Sequence, residues 1–263
     1  MGTYSKTETD GQLFIVTINR PEVYNALHPM ANQELSDAFD EFATNPDLWV
    51  AIITGAGDKA FSAGNDLKYH AELRAKTGAR PVSPPKGFGG LTSRYDFDKP
   101  VIAAVNGVAM GGGFEIALAC DIIIASDRAK FALPEPRVGL AAAAGGMQRL
   151  SRQIPLKKAM GMMLTGRHVS GQEGYELGFV TAVVPHDTLM AEARRWAGQI
   201  IECSPMSIRA TKQVVMRSLD VPGLEPAARN LHYPAFDALT RSEDTIEGPK
   251  AFAEKRKPNW KGR

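Results

Sequence analysis

The sequence is sparing with the features that mark several whole classes of protein. It has only two cysteines, Cys120 and Cys203, in 263 residues. They form no C-x-x-C pair, so neither a zinc site nor a disulfide framework is expected. Both lie in apolar helical patterns and read as buried free thiols. No cluster of His, Cys, Asp or Glu has metal-ligand spacing, so no metal is expected. No apolar run approaches the roughly 18 residues a membrane span needs. The opening MGTYSKTETDG lacks the apolar core of a secretory leader. These absences give a cytoplasmic expectation, with no membrane partner. A net charge of +2 and the lack of a long Lys/Arg block likewise give no reason to expect a nucleic-acid partner. The one dense basic run, the ending EKRKPNWKGR, reads by itself as a solvated tail.

What is present describes a globular α/β chain. The 44% hydrophobic and 23% charged composition is ordinary for a protein with a sizeable core. LFIVTI (Leu13 to Ile18), VAIIT (Val50 to Thr54), KPVIAAVNG and DIIIAS are short, continuous apolar runs rich in β-branched residues. Such runs read as strands of a sheet covered on both faces. From His28 to Asn45, apolar Leu35, Phe39 and Phe42 fall at helical spacing behind Pro29, a first-turn residue. After Gly139 the chain becomes mainly helical, broken by Pro and Gly. SEDTIEGPKAFAEKR opens with an N-cap signal at Ser242 and then meets a Gly-Pro interruption. The Pro/Gly-rich segment 78–90, GARPVSPPKGFGG, reads as a mobile loop beside a site.

Three glycine signals compete for function. Gly55-Ala56-Gly57-Asp58-Lys59-Ala60 fits a loose dinucleotide fingerprint, which would make an oxidoreductase. The turn-forming FSAGND follows at once, however, and no acid stands where the fingerprint needs one. Phe61 to Leu67, FSAGNDL, is a tight turn into a helix with Asp66 near its start, either a plain cap or a place where an amide faces a ligand. AMGGGFEIALACD puts three glycines before an oily helix that carries one carboxylate. No Lys-Ser/Thr follows, so it is no phosphate loop. Glycines at a helix start do leave bare N–H groups at its positive end. One amide from each of the last two turns would make an oxyanion hole. On a helix starting near Gly111, the neighbours of Glu115 are Gly111, Gly112, Leu118 and Ala119, all apolar, so Glu115 does not belong to a solvated face. Glu135 is trapped in Pro-Glu-Pro, and the following proline is expected to hold it in extended backbone. Alone that motif fits an exposed turn equally well.

Taken with NRPEVYNAL, AFSAGNDLK, FALPEPRVGL, GGMQRL, LTG and AFAEKR, in order along nearly the whole chain, these stretches resemble the crotonase (enoyl-CoA hydratase/isomerase) superfamily. The resemblance implies a crotonase (ClpP/crotonase-like) fold. A spiral core of repeated ββα turns over 1–200 carries the active site, and a helical region over 201–263 builds a homotrimer or a hexamer. It implies reversible addition of water to a 2-enoyl-CoA, with oxyanion donors at Ala63 and Gly112 and acid/base residues at Glu115 and Glu135. Glu115 would deprotonate the water and Glu135 exchange the C2 proton. Contacts to CoA would come from Val23, Ala26, Ala63, Gly64, Asn65, Asp66, Leu67, Gly111 and Pro134. Phe252 and Lys255 of a neighbouring subunit would complete them. CoA is part of the substrate, and no other cofactor is implied. FALPE and the C-terminal segment are most similar to the carnitinyl-CoA dehydratase branch.

Where many hydratases carry a proline, the chain reads Leu140-Ala141-Ala142-Ala143-Ala144, which relaxes and widens the acyl side of the site. Ala143 stands where dienoyl-CoA isomerases have a third carboxylate, which argues against that reaction. Another thioester-enolate reaction, such as double-bond isomerisation, remains the alternative, as does CoA binding without catalysis. Tyr69, Tyr95 and Phe88 either cage a trimethylammonium group or merely pack.

Overall fold

Two sheets are wound from one spiral. The computed structural model describes residues 2–78 and 84–263. The hairpin β1 (Ser5–Asp10) and β2 (Leu13–Ile18) leads to α1 (Pro29–Thr44). Each later turn of the spiral lays down two strands and a helix. The first is β3 (Val50–Gly55), β4 (Ala60–Ser62) and α2 (Leu67–Thr77), and the second β5 (Val101–Val105), β6 (Val108–Met110) and α3 (Gly112–Ala119). The third brings β7 (Ile122–Ser126) and β8 (Lys130–Ala132), followed by a 3₁₀ turn (Glu135–Val138), α4 (Gly146–Gln153) and α5 (Leu156–Thr165). The first strand of each turn enters a six-stranded sheet, and the second enters a four-stranded one. β9 (Val169–Ser170), α6 (Gly171–Leu177) and β10 (Ala182–Val184) close the two sheets. β2, β3, β5, β7 and β10 run parallel, with β1 antiparallel at the edge.

The continuous apolar strand runs are explained by burial on both faces. Phe14, Val16, Ala51, Ile53, Ala103 and Val105 face the core between the sheets. Their alternates Leu13, Ile15, Val50, Ile52, Ile102 and Ala104 meet Leu189, Ala193 and Ala197 of α7 (Leu189–Ile201). GAGDKA opens no helix: Gly55 ends β3, Gly57 turns, and the chain re-enters a sheet at β4. The dinucleotide reading fails there.

The C-terminal helices are α8 (Pro205–Ser218), α9 (Leu224–Arg229), α10 (Pro234–Thr240) and α11 (Asp244–Ala253). Several details differ from expectation. Ser242 does not cap α11, because its hydroxyl bonds back to Leu239 O and Glu243 takes the cap position. Pro249 lies inside α11 rather than breaking it. The basic ending keeps its Lys and Arg side chains exposed, as expected, but it is tied to the fold. Asp244 accepts from the Lys261 and Gly262 amides, and Trp260 Nε1 donates to Glu202 O. Cys120 is buried, but Cys203, just past α7, is exposed. Within segment 78–90, residues 79–83 lie outside the described residues. The end of the segment is packed rather than mobile: Phe88, Gly89 and Gly90 are buried, and the Gly89 amide donates to Asn32 Oδ1 at 2.6 Å. Among the described residues no helix is long and apolar enough to cross a membrane.

Candidate active site

The strands β4 and β6 run parallel and deliver their following turns to one place. There backbone packs on backbone. A Cβ on Gly113 would run into the Ser62 carbonyl, and one on Gly112 into the Phe88 ring. Gly64 has φ +84°, and a Cβ there would sit 2.6 Å from Met110 O and 2.8 Å from Gly112 N. Only glycine allows both the left-handed backbone and the approach.

The segment 24–27 fixes the orientation of the 62–66 turn. Tyr24 and Asn25 both take φ 55°, a conformation that costs about 1 kcal/mol or more for each non-glycine residue. It aims their carbonyls at the turn, where Tyr24 O accepts from the Ala63 amide at 2.9 Å and Asn25 O accepts from Ser62 Oγ at 2.8 Å. The buried Asn25 amide locks the bend, donating to Ala56 O and Ala60 O and accepting from Arg20 N. Leu27 then brackets Asn65: its amide donates to Gly64 O at 2.7 Å and its carbonyl accepts from Asp66 N at 3.0 Å. In a parallel bridge, the residue bracketed in this way turns its own amide to the opposite side.

This corrects one expected role. Ala63 is no oxyanion donor, since its N–H is already committed to Tyr24 O. The Asn65 amide has no acceptor among the described residues. The same holds for Gly112, the first residue of α3, whose N–H no helical carbonyl can reach. The tight turn into a helix expected at Phe61 to Leu67 does form, between β4 and α2. The choice between its amides depends on the contact with residues 24–27, which lies far away along the chain.

Glu115 is 3% exposed, and its Oε1 accepts from the Gly146 amide at 2.8 Å. Burial raises its pKa to about 7. The Glu135 charge adds to the rise, while the Gly146 and Ala144 amides and the Arg149 cation oppose it. Glu135 arrives from the other side. β8 pairs with β6, Gly111 N donates to Ala132 O, and the chain then turns so that Glu135 Oε1 lies over Gly111. Glu135 is not extended as expected but begins a 3₁₀ turn. Pro136 is tolerated there because a first-turn N–H has no helical partner to lose. Burial raises the Glu135 pKa, and its Oε2 is buried without a hydrogen-bond partner.

Of the other expected contact residues, Ala26 is buried while Val23 and Leu67 are exposed beside the turn. Asp66 caps α2 through the Tyr69 amide and pairs with Arg20 at 2.9 Å. Pro134 caps the turn that carries Glu135. Phe252 is 87% exposed, and Lys255 adopts φ 53° just past α11. α11 packs on α10 and the C-terminal residues, so the fold of one chain does not bring this pair to the turns that carry the rest. Phe88 packs on Gly112, Tyr69 lies tilted against His28, and Tyr95 is exposed beside Arg149. They do not form one cage. Sequence reasoning missed Gly146 and Arg149. The signal was Gly145-Gly146 ahead of a helix, whose first amide is free to bind a carboxylate.

The enoyl-CoA hydratase/isomerase family model matches residues 8–263. Carnitinyl-CoA dehydratases of Citrobacter koseri and Escherichia coli K12 are each 44% identical to the chain, covering 96% and 97% of both sequences respectively. Among solved structures, an enoyl-CoA hydratase of Mycobacterium tuberculosis superposes with a TM-score of 0.91 at 34% identity over 100% of both chains. One from Bacillus anthracis gives 0.87 at 31% identity, covering 99% of this chain and 100% of that one.

Proposed function

The chain belongs to the enoyl-CoA hydratase/isomerase family, and we propose that it adds water across the C2=C3 bond of an acyl-CoA thioester, or removes it. The observation that carries this reading is the presence of two carboxyls, the buried Glu115 and the half-buried Glu135 with its buried Oε2, beside the turns whose Asn65 and Gly112 amides are free. Hydration has two electrostatic demands: stabilisation of the enolate-like charge on the thioester oxygen, and transfer of one proton off water and another onto C2. The Asn65 and Gly112 amides would take the oxygen. Water would sit between the carboxyls.

Two carboxyls this strongly coupled titrate as a pair. Its last proton leaves near the value of about 7 that burial and the Glu135 charge give Glu115. Below that the pair holds one proton. The reactive form has the proton on Glu135 and Glu115 ionised: the Gly146 amide and Arg149 favour the Glu115 anion against the burial that raises its pKa, and Glu135 Oε2 has no hydrogen-bond partner. Glu115 then removes a proton from water as its oxygen bonds C3, and Glu135 gives its proton to C2. The pair carries one proton before and after, and its transfer back to Glu135 resets the site. No cofactor is needed beyond the CoA of the substrate.

The relatives' names make carnitinyl-CoA the first acyl thioester to test. A homotrimer, alone or paired as a hexamer, would set Phe252 and Lys255 of a neighbour against the nucleotide, and the 87% exposure of Phe252 supports this. The test is loss of enoyl-thioester absorbance with crotonyl-CoA and crotonobetainyl-CoA. Glu115→Gln and Glu135→Gln should each lower kcat by about 100-fold or more. Full activity in either variant would refute the reading.

A further inference from the structure

Glu115 is held by a turn that has no side-chain cap of its own. α4 begins after Gly145, at φ 99°, and the Gly146 amide that binds Glu115 is the first of the helix. Something else must hold the 144–146 turn against α3. One helical turn along, Arg149 folds back over it. Its amide donates to Gly145 O at 2.9 Å, and its Nη1 reaches Ala144 O at 3.4 Å. The guanidinium lies so close over Gly145 that any side chain there would strike it. Its other arm, Nη2, donates to Thr92 O at 2.7 Å. Thr92 in turn accepts the Phe88 amide on its hydroxyl, and Phe88 is the ring packed on Gly112. One guanidinium thus ties the support of Glu115 to the segment that backs the oxyanion turn.

We infer that Arg149 is a positioning residue that acts through Glu115, clasping the 144–146 turn to Thr92 and so holding the Gly146 amide against the Glu115 carboxyl. The inference rests on the proposed roles of the two glutamates. The electrostatic surroundings agree. Among the described residues, the charges acting on Glu115 are Glu135, from the turn after β8, and Arg149, from α4. The segments 60–62, 88–90 and 108–110, also packed on α3, carry no titratable side chain, and Lys130 of β8, whose Phe131 ring meets Phe114, is exposed. Arg149 itself faces Tyr95 and Cys120 besides Glu115. Among the described residues it is the cation that opposes the rise of Glu115 beside a like charge, so its loss raises the pH at which the pair's last proton leaves.

The experiment compares the full-length enzyme with Arg149→Met and Arg149→Lys. Infrared difference titration follows the protonated-carboxyl band that Glu115→Gln removes or alters, and needs no substrate. In Arg149→Met that band should titrate about half a pH unit or more higher than in the parent protein. With an enoyl-CoA substrate, kcat at neutral pH should fall about tenfold or more with KM changed less than about twofold, and the alkaline limb should move upward. Arg149→Lys should restore most of the titration shift and only part of kcat, because it returns the charge without the two-armed grip. An unmoved carboxyl band in Arg149→Met overturns the inference, even where kcat falls. If the methionine variant does not fold, the lysine variant decides, and full kcat in it overturns the inference. Absence of any hydration by the parent protein strikes the functional reading instead, while the band titration still tests Arg149.

Discussion

The chain buries two carboxylates to the same depth, Glu115 in the spiral core and Asp244 at the start of α11, each 3% exposed. Their surroundings are opposite. Asp244 accepts from Ser204 Oγ at 2.7 Å, from the Lys261 amide at 2.8 Å and from the Gly262 amide at 3.3 Å. Every donor is on an element that must stay folded onto another, so the charge fastens the C-terminal residues and α8 to α11. Glu115 accepts one such bond and faces a second carboxylate that has an oxygen with no partner. A buried charge that is fully bonded acts as a structural rivet. One that is left short of donors is held ready to take up a proton.

The contrast can be broken by deletion. Asp244→Ala should give the largest change in stability, about 3 kcal/mol, because three donors lose one acceptor inside the fold. Chemical denaturation, with an unchanged slope against denaturant, would measure it. An effect under about 1 kcal/mol would show that water replaces the carboxylate and that it is no rivet.

Glu115→Gln should act in the opposite direction and depend on pH. Folding raises the Glu115 pKa above its unfolded value of 4.5, to about 7, so the native state favours the neutral acid. The stability this gives is present below the unfolded pKa and is lost as pH rises through the folded one. A neutral amide should therefore stabilise the protein by about 2 kcal/mol at pH 8, with the gain shrinking toward zero as pH falls through 5. Melting temperatures of variant and parent at the two pH values check this. An equal gain at both would assign it to packing.

The smallest change sharpens the comparison from the rivet's side. Ser204→Ala removes one of three donors to Asp244 and the N-cap of α8, whose hydroxyl also accepts from Ser207 N. About 1 kcal/mol is expected, by the same denaturation measurement.

How far each feature was legible follows the range of the forces behind it. Strands such as Leu13–Ile18 and Ile122–Ser126, and helix α1 behind its first-turn Pro29, follow from local patterning and were read to within a residue or so. The misreadings were decided by distant partners. Pro249 sits inside α11, whose neighbouring tail is tied down through Asp244, and Glu135 enters a 3₁₀ turn that lays it over Gly111. The site shows the same division. Three adjacent glycines, an apolar-faced Glu115 and the Pro-framed Glu135 announced themselves, whereas nothing in the local pattern singled out Arg149.

By itself the sequence determined which chemical groups exist and which short segments they ride on. Periodicity, glycine and proline act within a few residues, and side-chain chemistry is fixed by composition. Only the tertiary structure decided which amide stays free, which carboxyls are pushed toward their neutral form and which cation reaches them. Those outcomes are set by hydrogen bonds such as Ala63 N to Tyr24 O and Arg149 to Thr92 O, and by the removal of water around Glu115. Contacts across 39 and 57 positions of chain leave no local pattern to read, because the spiral that creates them is a property of the two sheets together.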